Sequence, residues 1–596
     1  MSRSRFFRCA ALASLPALLA ATAMVAGAQS TSSSVTGRFD GLHMDSTRID
    51  SVFAEFDSDS SPGCALGVIR DGRIIHARGY GMADLENGTP ITPRTVFDIG
   101  STSKQFTAAS IALLAADGKL SLDDDVRRYI PELPEYGEPI TIRQLLQHTS
   151  GIRDYIGIMY MGGYRFADMT TDAEALDAIV RQDALNFAPG SEHYYSNSGY
   201  FLASVVVERA TGSDEGPGKA LADFARERIF EPLGMTSTLI RHDHALIIPD
   251  RATGYSPGDS SGFVIDMSNW EQTGDGAVHT TVEDLALWDG NFYTKEVGGP
   301  GLAKHLLTTG HLDDGEAITY ALGLFVDEYR GLRRVHHGGS WAGYRAELLR
   351  FPDQRVSVAV LCNLATANPS GLARRVVDIL LAEHLEPEPG RGGGRGAAAQ
   401  AEAAEKDAPP SATRDAAAVE AELARYTGLY FDEATSAFRR VAIDSGRLVL
   451  HISGSALPLR ALGGDRFQSP DYPITLAFEA PEQGAALALK ETIDGDPAVT
   501  YEPMPPATID ARALAAYAGT YDSEELAATW ELAVRDSVLV LEHRSLGDTR
   551  FEPAFVDAFT AGPMLVRFSR GDGARITGFS VSMGRARGIG FVRRGS

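Results

Sequence analysis

Residues 96–107, Val-Phe-Asp-Ile-Gly-Ser-Thr-Ser-Lys-Gln-Phe-Thr, change character at Gly100. Val96–Ile99 is apolar and strand-like. From Ser101 the pattern turns helical, with Phe106, Ala109, Leu113 and Leu114 at helix spacing until Gly118 supplies a stop. Ser101 therefore opens a helix, where unpaired backbone N–H groups favour developing negative charge. Lys104 follows one turn later on the same face, within reach of the hydroxyl, which sets a serine nucleophile beside a lysine base. Of seven lysines in the chain, only Lys104 has a serine three residues before it. A serine N-cap followed by a solvated lysine gives the same pair, so this motif alone decides nothing.

The flanking sequence supplies a mixed fold. Cys64–Arg78 reads as two short strands joined at Asp71-Gly72, a strong hairpin signal. Ile142–Leu146 reads as a helix broken at Ser150-Gly151, and Met44–Phe56 as a helical stretch. Another helix is expected to open at Thr280, spaced with Glu283 as a capping box. From Arg334 the period becomes strand-like, with Glu347–Phe351 and Val356–Leu361 flanking a Pro352-Asp353 turn. Leu372–His384 then reads as a closing helix. Strands at both ends with helices between predict an α/β (α+β) layer fold whose sheet is assembled from distant segments.

Two further motifs add chemistry. Tyr194-Tyr-Ser-Asn-Ser-Gly-Tyr200 is a polar and aromatic turn before an apolar helix. Tyr195 and Asn197 on such a turn can share a cleft, the phenol relaying protons and the amide holding a substrate amide. Val335-His-His-Gly-Gly-Ser340 precedes the second hairpin. Its glycines allow a substrate backbone to lie along a strand edge, with an N–H nearby for an oxyanion. An aromatic turn and a glycine bend explain each motif separately; the three in this order are hard to produce by chance.

At these residues the chain resembles the serine β-lactamase and penicillin-binding protein superfamily, in the branch of class C β-lactamases, D-Ala-D-Ala carboxypeptidases and D-aminopeptidases. The three parts are Ser101–Lys104, Tyr195-Ser-Asn197 and His337-Gly-Gly339. A register on His336 fits less well, because Gly343-Tyr344 matches the later one. Leu145–Gly151 and Thr280–Trp288 support the match, which covers about residues 50–385. The resemblance implies a β-lactamase/transpeptidase-like domain, an antiparallel sheet flanked by helices with a helical subdomain. It makes Ser101 the acylated nucleophile and gives Lys104 and Tyr195 the acid and base work, without deciding which takes the first proton. Asn197 would hold the acyl amide, and the N–H groups of Ser101 and Ser340 the oxyanion, with Gly339 beside them at the substrate. His337 stands where the β-lactamases have lysine. A histidine is half charged near pH 6.5, which turns the expectation from a penicillinase toward a peptidase, amidase or esterase. The resemblance also makes Cys64 and Cys362 antiparallel neighbours. A bridge there is open to an exported protein, and two buried thiols are the preferred reading.

Composition bounds the rest. The 596 residues are 44% hydrophobic and 22% charged, with 55 basic against 79 acidic residues and a net charge of −24. That balance speaks against nucleic-acid or anionic-membrane partners. Residues 1–28 carry three arginines, an apolar run and a small-x-small end, a secretory signal pattern. Its removal would leave an exported, periplasmic or secreted chain of charge −27 without an integral membrane segment. Residues 29–385 form the expected hydrolase domain and 386–417 a Pro-, Gly- and Ala-rich linker. Beyond it, Tyr426-Thr-Gly-Leu-Tyr430 recurs as Tyr517-Ala-Gly-Thr-Tyr521, Leu448–Leu450 as Leu539–Leu541, and Asp465–Phe467 as Asp557–Phe559. The repeats, 418–507 and 508–596, read as two small β-barrels or two halves of one, a scaffold or lid. Layout resembles the D-aminopeptidases, whose barrel loop lies near the cleft.

Other motifs carry no chemistry in this reading. Ser256 sits in a G-x-S-x-G whose next residue, Pro257, lacks the required N–H. His242-Asp-His244 lacks a third ligand at a diagnostic spacing. His148 reads as structural, and Gly390–Gly396 lacks a phosphate-loop context. No cofactor and no metal are expected. The leading function is an exported serine hydrolase that forms an acyl-enzyme on Ser101 and acts on small amides or esters, D-amino-acid peptides first. A β-lactamase, a carboxylesterase, or a silent binder using its barrels are the rivals, and the oligomeric state is left open.

Overall fold

In the computed structural model the described residues are 36–39, 42–259, 262–387, 416–452, 455–470, 474–480, 487–493, 498–505, 507 and 509–595. The signal segment and nearly all of the linker lie outside them.

Six strands form the central sheet: β1 (Cys64–Arg70), β2 (Arg73–Tyr80), β3 (Phe325–Tyr329), β4 (Leu332–Trp341), β5 (Tyr344–Phe351) and β6 (Val356–Cys362). Their spatial order is β3-β4-β5-β6-β1-β2, antiparallel throughout, so the two ends of the hydrolase segment meet at the β6–β1 ladder. Asp71 and Gly72 both take positive φ, 52° and 72°, as a two-residue hairpin between right-twisted strands requires. Side chains alternate between two cores. Leu66, Val68, Val358 and Val360 pack with Leu372, Val376 and Val377 of the closing helix. Ala65, Ile69, Ala359 and Leu361 face the larger core, which contains Phe106, Leu145, Phe201 and Trp288. Burial of both faces explains why these strands are apolar nearly throughout.

The helices that position the site are α1 (Lys104–Ala116), α2 (Ile142–Leu146), α3 (Asn197–Thr211), α4 (Val282–Thr294) and α5 (Pro369–Leu380). Thr141 and Gln144 cap α2 reciprocally. The start of α4 corrects the expected cap by one residue: Thr281, not Thr280, accepts from the Asp284 N–H at 3.0 Å. Thr280 is in a short strand, its hydroxyl bonded to Thr238 at 2.6 Å. A second correction concerns the cysteines. Cys64 and Cys362 are directly opposed in the β1–β6 ladder and form a disulfide rather than two thiols. The neighbours that the resemblance implied are thus directly opposed, with their Cα atoms 4.0 Å apart.

Both repeats are built of strands, each led in by a short helix, Ala416–Leu423 and Ala511–Leu514. Strands between Gly428 and Met504 form a nine-stranded sheet whose edge strands, Ser455–Pro458 and Arg460–Gly463, are separated by one residue, so the sheet curls on itself. Strands between Gly519 and Arg593 close into an eight-stranded barrel. The repeated tyrosines perform the same task twice. Tyr430 donates to the Tyr426 carbonyl and Tyr521 to the Tyr517 carbonyl, each at 2.8 Å. Tyr426 and Tyr517 donate in turn to Asp465 and Asp557 at 2.6 and 2.7 Å.

Candidate active site

Ser101 lies on a single 3₁₀ turn, Gly100–Ser103, that precedes α1. Gly100 has φ 49°, and its N–H donates to Asp98 at 2.8 Å. A Cβ at Gly100 would lie 2.6 Å from the Ser340 nitrogen, and one at Gly339 would lie 1.8 Å from the Ile99 carbonyl oxygen. These two glycines let the serine turn lie directly on β4. Gly339 thus serves the turn, while Ser340 runs beside Ser101 at the cleft wall.

Lys104 is wholly buried, and its three donors are all used. Nζ donates to Ser101 Oγ at 3.0 Å, Asn197 Oδ1 at 2.9 Å and the Asp275 carbonyl at 2.6 Å. The helix spacing of Ser101 and Lys104 thus becomes contact, and Asn197, at the start of α3, joins them. Asn197 is fixed by Asp154, whose Oδ2 accepts its N–H at 2.8 Å and its Nδ2 at 2.9 Å. Burial drives the Asp275 carboxyl up to about 7 against the pull of the Lys104 ammonium, and Tyr155 donates to it at 3.2 Å.

Tyr195 lies over the same centre. Lys104 Nζ is 5.0 Å from its ring centroid, and the His148 ring packs against it at 4.0 Å. The Ser196 N–H donates to His148 Nδ1 at 3.1 Å, which fixes the turn carrying Tyr195. Burial holds the His148 imidazole far below its ordinary value, so it is neutral. The Tyr195 hydroxyl is buried without a hydrogen-bond partner among the described residues. An orphaned phenol lining a cleft beside a serine and a lysine is suited to receive a group that only a substrate brings.

His337 behaves differently from expectation. It is 3% exposed, pairs with Leu348 in the β4–β5 ladder, and shares a 2.9 Å hydrogen bond with Tyr320 through Nε2. Burial, reinforced by Lys104, pushes its imidazole down to about 3, so it is neutral at every physiological pH. It braces the site from behind rather than presenting a cation. Among the other motifs, Ser256 donates its hydroxyl to Asp266, as a structural serine does. His244 gains a neighbour from distant sequence: Nδ1 lies 2.6 Å from a Glu271 carboxylate oxygen.

The cleft has a volume of about 1590 Å³ and runs from Ser101 to both β units. Its residues missed by sequence reasoning are Asp154, Asp275, Tyr155 and Arg585. Asp154 carried one local signal, as an N-cap aspartate before the Tyr155–Met161 helix. Arg585 carried none, because it reaches the cleft from the closed barrel, on the turn between its last two strands.

A family model described as Beta-lactamase matches residues 49–383. The D-aminopeptidase of Brucella anthropi is 28% identical over 320 residues, covering 54% of this chain and 59% of that protein. The D-aminopeptidase of Gluconobacter oxydans is 29% identical over 328 residues, covering 55% and 60%. The match thus spans about three fifths of these relatives' length. Among solved structures, the octameric penicillin-binding protein homologue from Pyrococcus abyssi shares the fold with a TM-score of 0.53 at 23% identity, covering 84% of this chain and 98% of that one.

Proposed function

The chain belongs to the Beta-lactamase family, in the D-aminopeptidase branch of the serine β-lactamase and penicillin-binding protein superfamily, and from that premise we propose that it hydrolyses small amide bonds through an acyl-enzyme on Ser101. The observation that carries the reading is the 3.0 Å contact of a buried lysine with the serine hydroxyl beside an unpartnered phenol.

Ser101 Oγ attacks the substrate carbonyl carbon as its proton passes to the Lys104–Tyr195 pair, which enters this step one proton short, either as a Lys104 amine with the Tyr195 phenol or as a Lys104 ammonium with a Tyr195 phenolate. The carbonyl oxygen becomes an oxyanion at the N–H groups of Ser101 and Ser340, and each such donor lowers the barrier by about 3 kcal/mol. Collapse breaks the C–N bond, and the departing amine takes its proton from Tyr195. Water then attacks the ester, giving its proton to the same pair and returning Ser101 as the acid product leaves. Asn197, held by Lys104 and Asp154, orients the acyl amide. His337 is a positioning residue in this scheme.

D-Amino-acid peptides are the proposed substrate class, because the curated relatives are D-aminopeptidases. We also propose export by the segment 1–28, a hydrolase unit over 29–385, and the 386–417 linker before the two β repeats. The test is turnover of a D-alanine amide, nitrocefin and a short p-nitrophenyl ester by wild type and Ser101→Ala. The D-alanine amide should be preferred, and Ser101→Ala should lose at least a thousandfold on all three. Activity retained in Ser101→Ala sinks the proposal.

A further inference from the structure

The turn joining Ile576–Met583 to Ala586–Arg593 of the closed barrel enters the cleft and is fastened on both sides of Arg585. The Gly584 carbonyl accepts from Tyr194 Oη at 3.2 Å. The Arg585 carbonyl accepts from the Asp154 N–H at 3.2 Å and from Asn186 Nδ2 at 2.9 Å. The Arg587 N–H donates to Asn186 Oδ1 at 2.9 Å, and its guanidinium grips Glu192 through two bonds of 2.8 and 3.1 Å. The backbone at Arg585 is therefore fixed relative to Asn197 and Tyr195.

Its side chain is not consumed in the same way. Arg587 is 10% exposed and bound to its carboxylate; Arg585 is 46% exposed and makes no guanidinium hydrogen bond among the described residues. The guanidinium lies over the Tyr195 ring, 4.7 Å from its centroid. Its ion-pair neighbour is Asp154 Oδ2 at 3.8 Å, an oxygen already accepting twice from Asn197. A planar fork of N–H donors is thus held at the cleft wall with its hydrogen-bonding capacity open. The position in β4 that the resemblance matches to the lysine of the β-lactamases holds His337, turned to Tyr320.

The geometry points to Arg585 as a specificity residue that binds a carboxylate of the substrate, supplied to the hydrolase cleft by the C-terminal barrel. The inference rests on the acyl-enzyme reading above and names a feature of its substrate. A bidentate guanidinium–carboxylate contact formed in a partly enclosed cleft distinguishes an acid from its neutral amide. The carboxylate can stand on the acyl side, near Asn197, or on the leaving group, and two matched pairs separate these sources.

The experiment measures kcat/KM on the full chain for succinyl-D-alanine p-nitroanilide against its acetyl counterpart, and for D-alanyl-D-alanine against its C-terminal amide. Wild type should prefer the acid at least tenfold in one pair, largely through KM. In Arg585→Gln that ratio should fall toward one, and Arg585→Lys should restore part of it. Labelling of Ser101 by a fluorophosphonate shows that the cleft of each variant is assembled. Equal rates in both pairs, faster turnover of the neutral members, or a preference that survives Arg585→Gln would overturn the inference. So would failure of all four substrates on a chain whose Ser101 is labelled. Absence of labelling in wild type would instead remove the reading on which it rests.

Discussion

At the scale of single residues, the site depends on which groups are charged where water is excluded. His337 shows this most clearly. Its imidazole is held near 3 against about 6.5 in an unfolded chain, so the unfolded state takes up a proton that the native state refuses. The stability this neutral ring contributes is complete above pH 6.5 and lost as the pH falls toward 3. Between pH 6.5 and 5 the loss from this group is about 2 kcal/mol. His337→Gln should therefore show a smaller drop in urea midpoint between pH 7.5 and 5 than wild type, and an equal drop contradicts the burial account. Gly339 gives a steric prediction. A Cβ there meets the Ile99 carbonyl, so Gly339→Ala should cost about 1–3 kcal/mol in denaturation and slow acylation of Ser101. Unchanged stability and rate would mean that the turn has room to move. Ser101 and Lys104 were legible because a helix turns i to i+3 spacing into contact. Beyond the cap signal of Asp154, the roles of Asp154, Asp275 and Tyr320 were not, because nothing local marks a side chain whose partner lies 17 to 120 residues away.

At the scale of elements, local chemistry predicted existence better than boundaries. The Asp71-Gly72 hairpin and the Ile142–Leu146 helix stand where turn and period signals put them. The cap of α4 moved by one residue because two threonines compete, and tertiary pairing of Thr280 with Thr238 decides between them. Thr281→Ala should accordingly cost about 1 kcal/mol through the lost cap. Thr280→Ala should act instead through the Thr238 hydrogen bond, and restoring it with Thr280→Ser should recover stability. Thermal melts of the three variants check this, and failure of the serine to rescue would contradict it. Ser101 similarly lies on a 3₁₀ turn rather than in the helix proper. That turn places its hydroxyl over Lys104 while its backbone abuts β4.

At the scale of the molecule, the sheet closes by joining the ends of a long chain, and the disulfide sits on that seam. Cys64 and Cys362 are 298 residues apart and both fully buried. Tying so long a loop constrains the unfolded ensemble, with typical gains of about 2–5 kcal/mol. Cys64→Ser/Cys362→Ser should melt lower than wild type under non-reducing conditions, and an unchanged melting temperature would show that the β1–β6 ladder suffices alone. The resemblance suggested a barrel loop near the cleft, but which barrel residues reach it was beyond sequence reading. The repeat marked its fold, through paired tyrosines and aspartates, but the contacts that dock it are single residues scattered over both partners. Trp530 Nε1 donates to the Met161 carbonyl at 3.3 Å and Tyr160 to the Ser545 carbonyl at 3.0 Å, which joins the barrel to the helix lining the cleft. Everything in the proposed reaction requires that Ser101 become covalently acylated. The direct measurement is peptide mass spectrometry of the full chain quenched in acid during turnover of a D-alanine ester. One alanyl adduct is expected, on the peptide containing Ser101, absent from Ser101→Ala and accumulating when Tyr195→Phe slows its hydrolysis. Turnover with no adduct on that peptide, or with the adduct elsewhere, would contradict it.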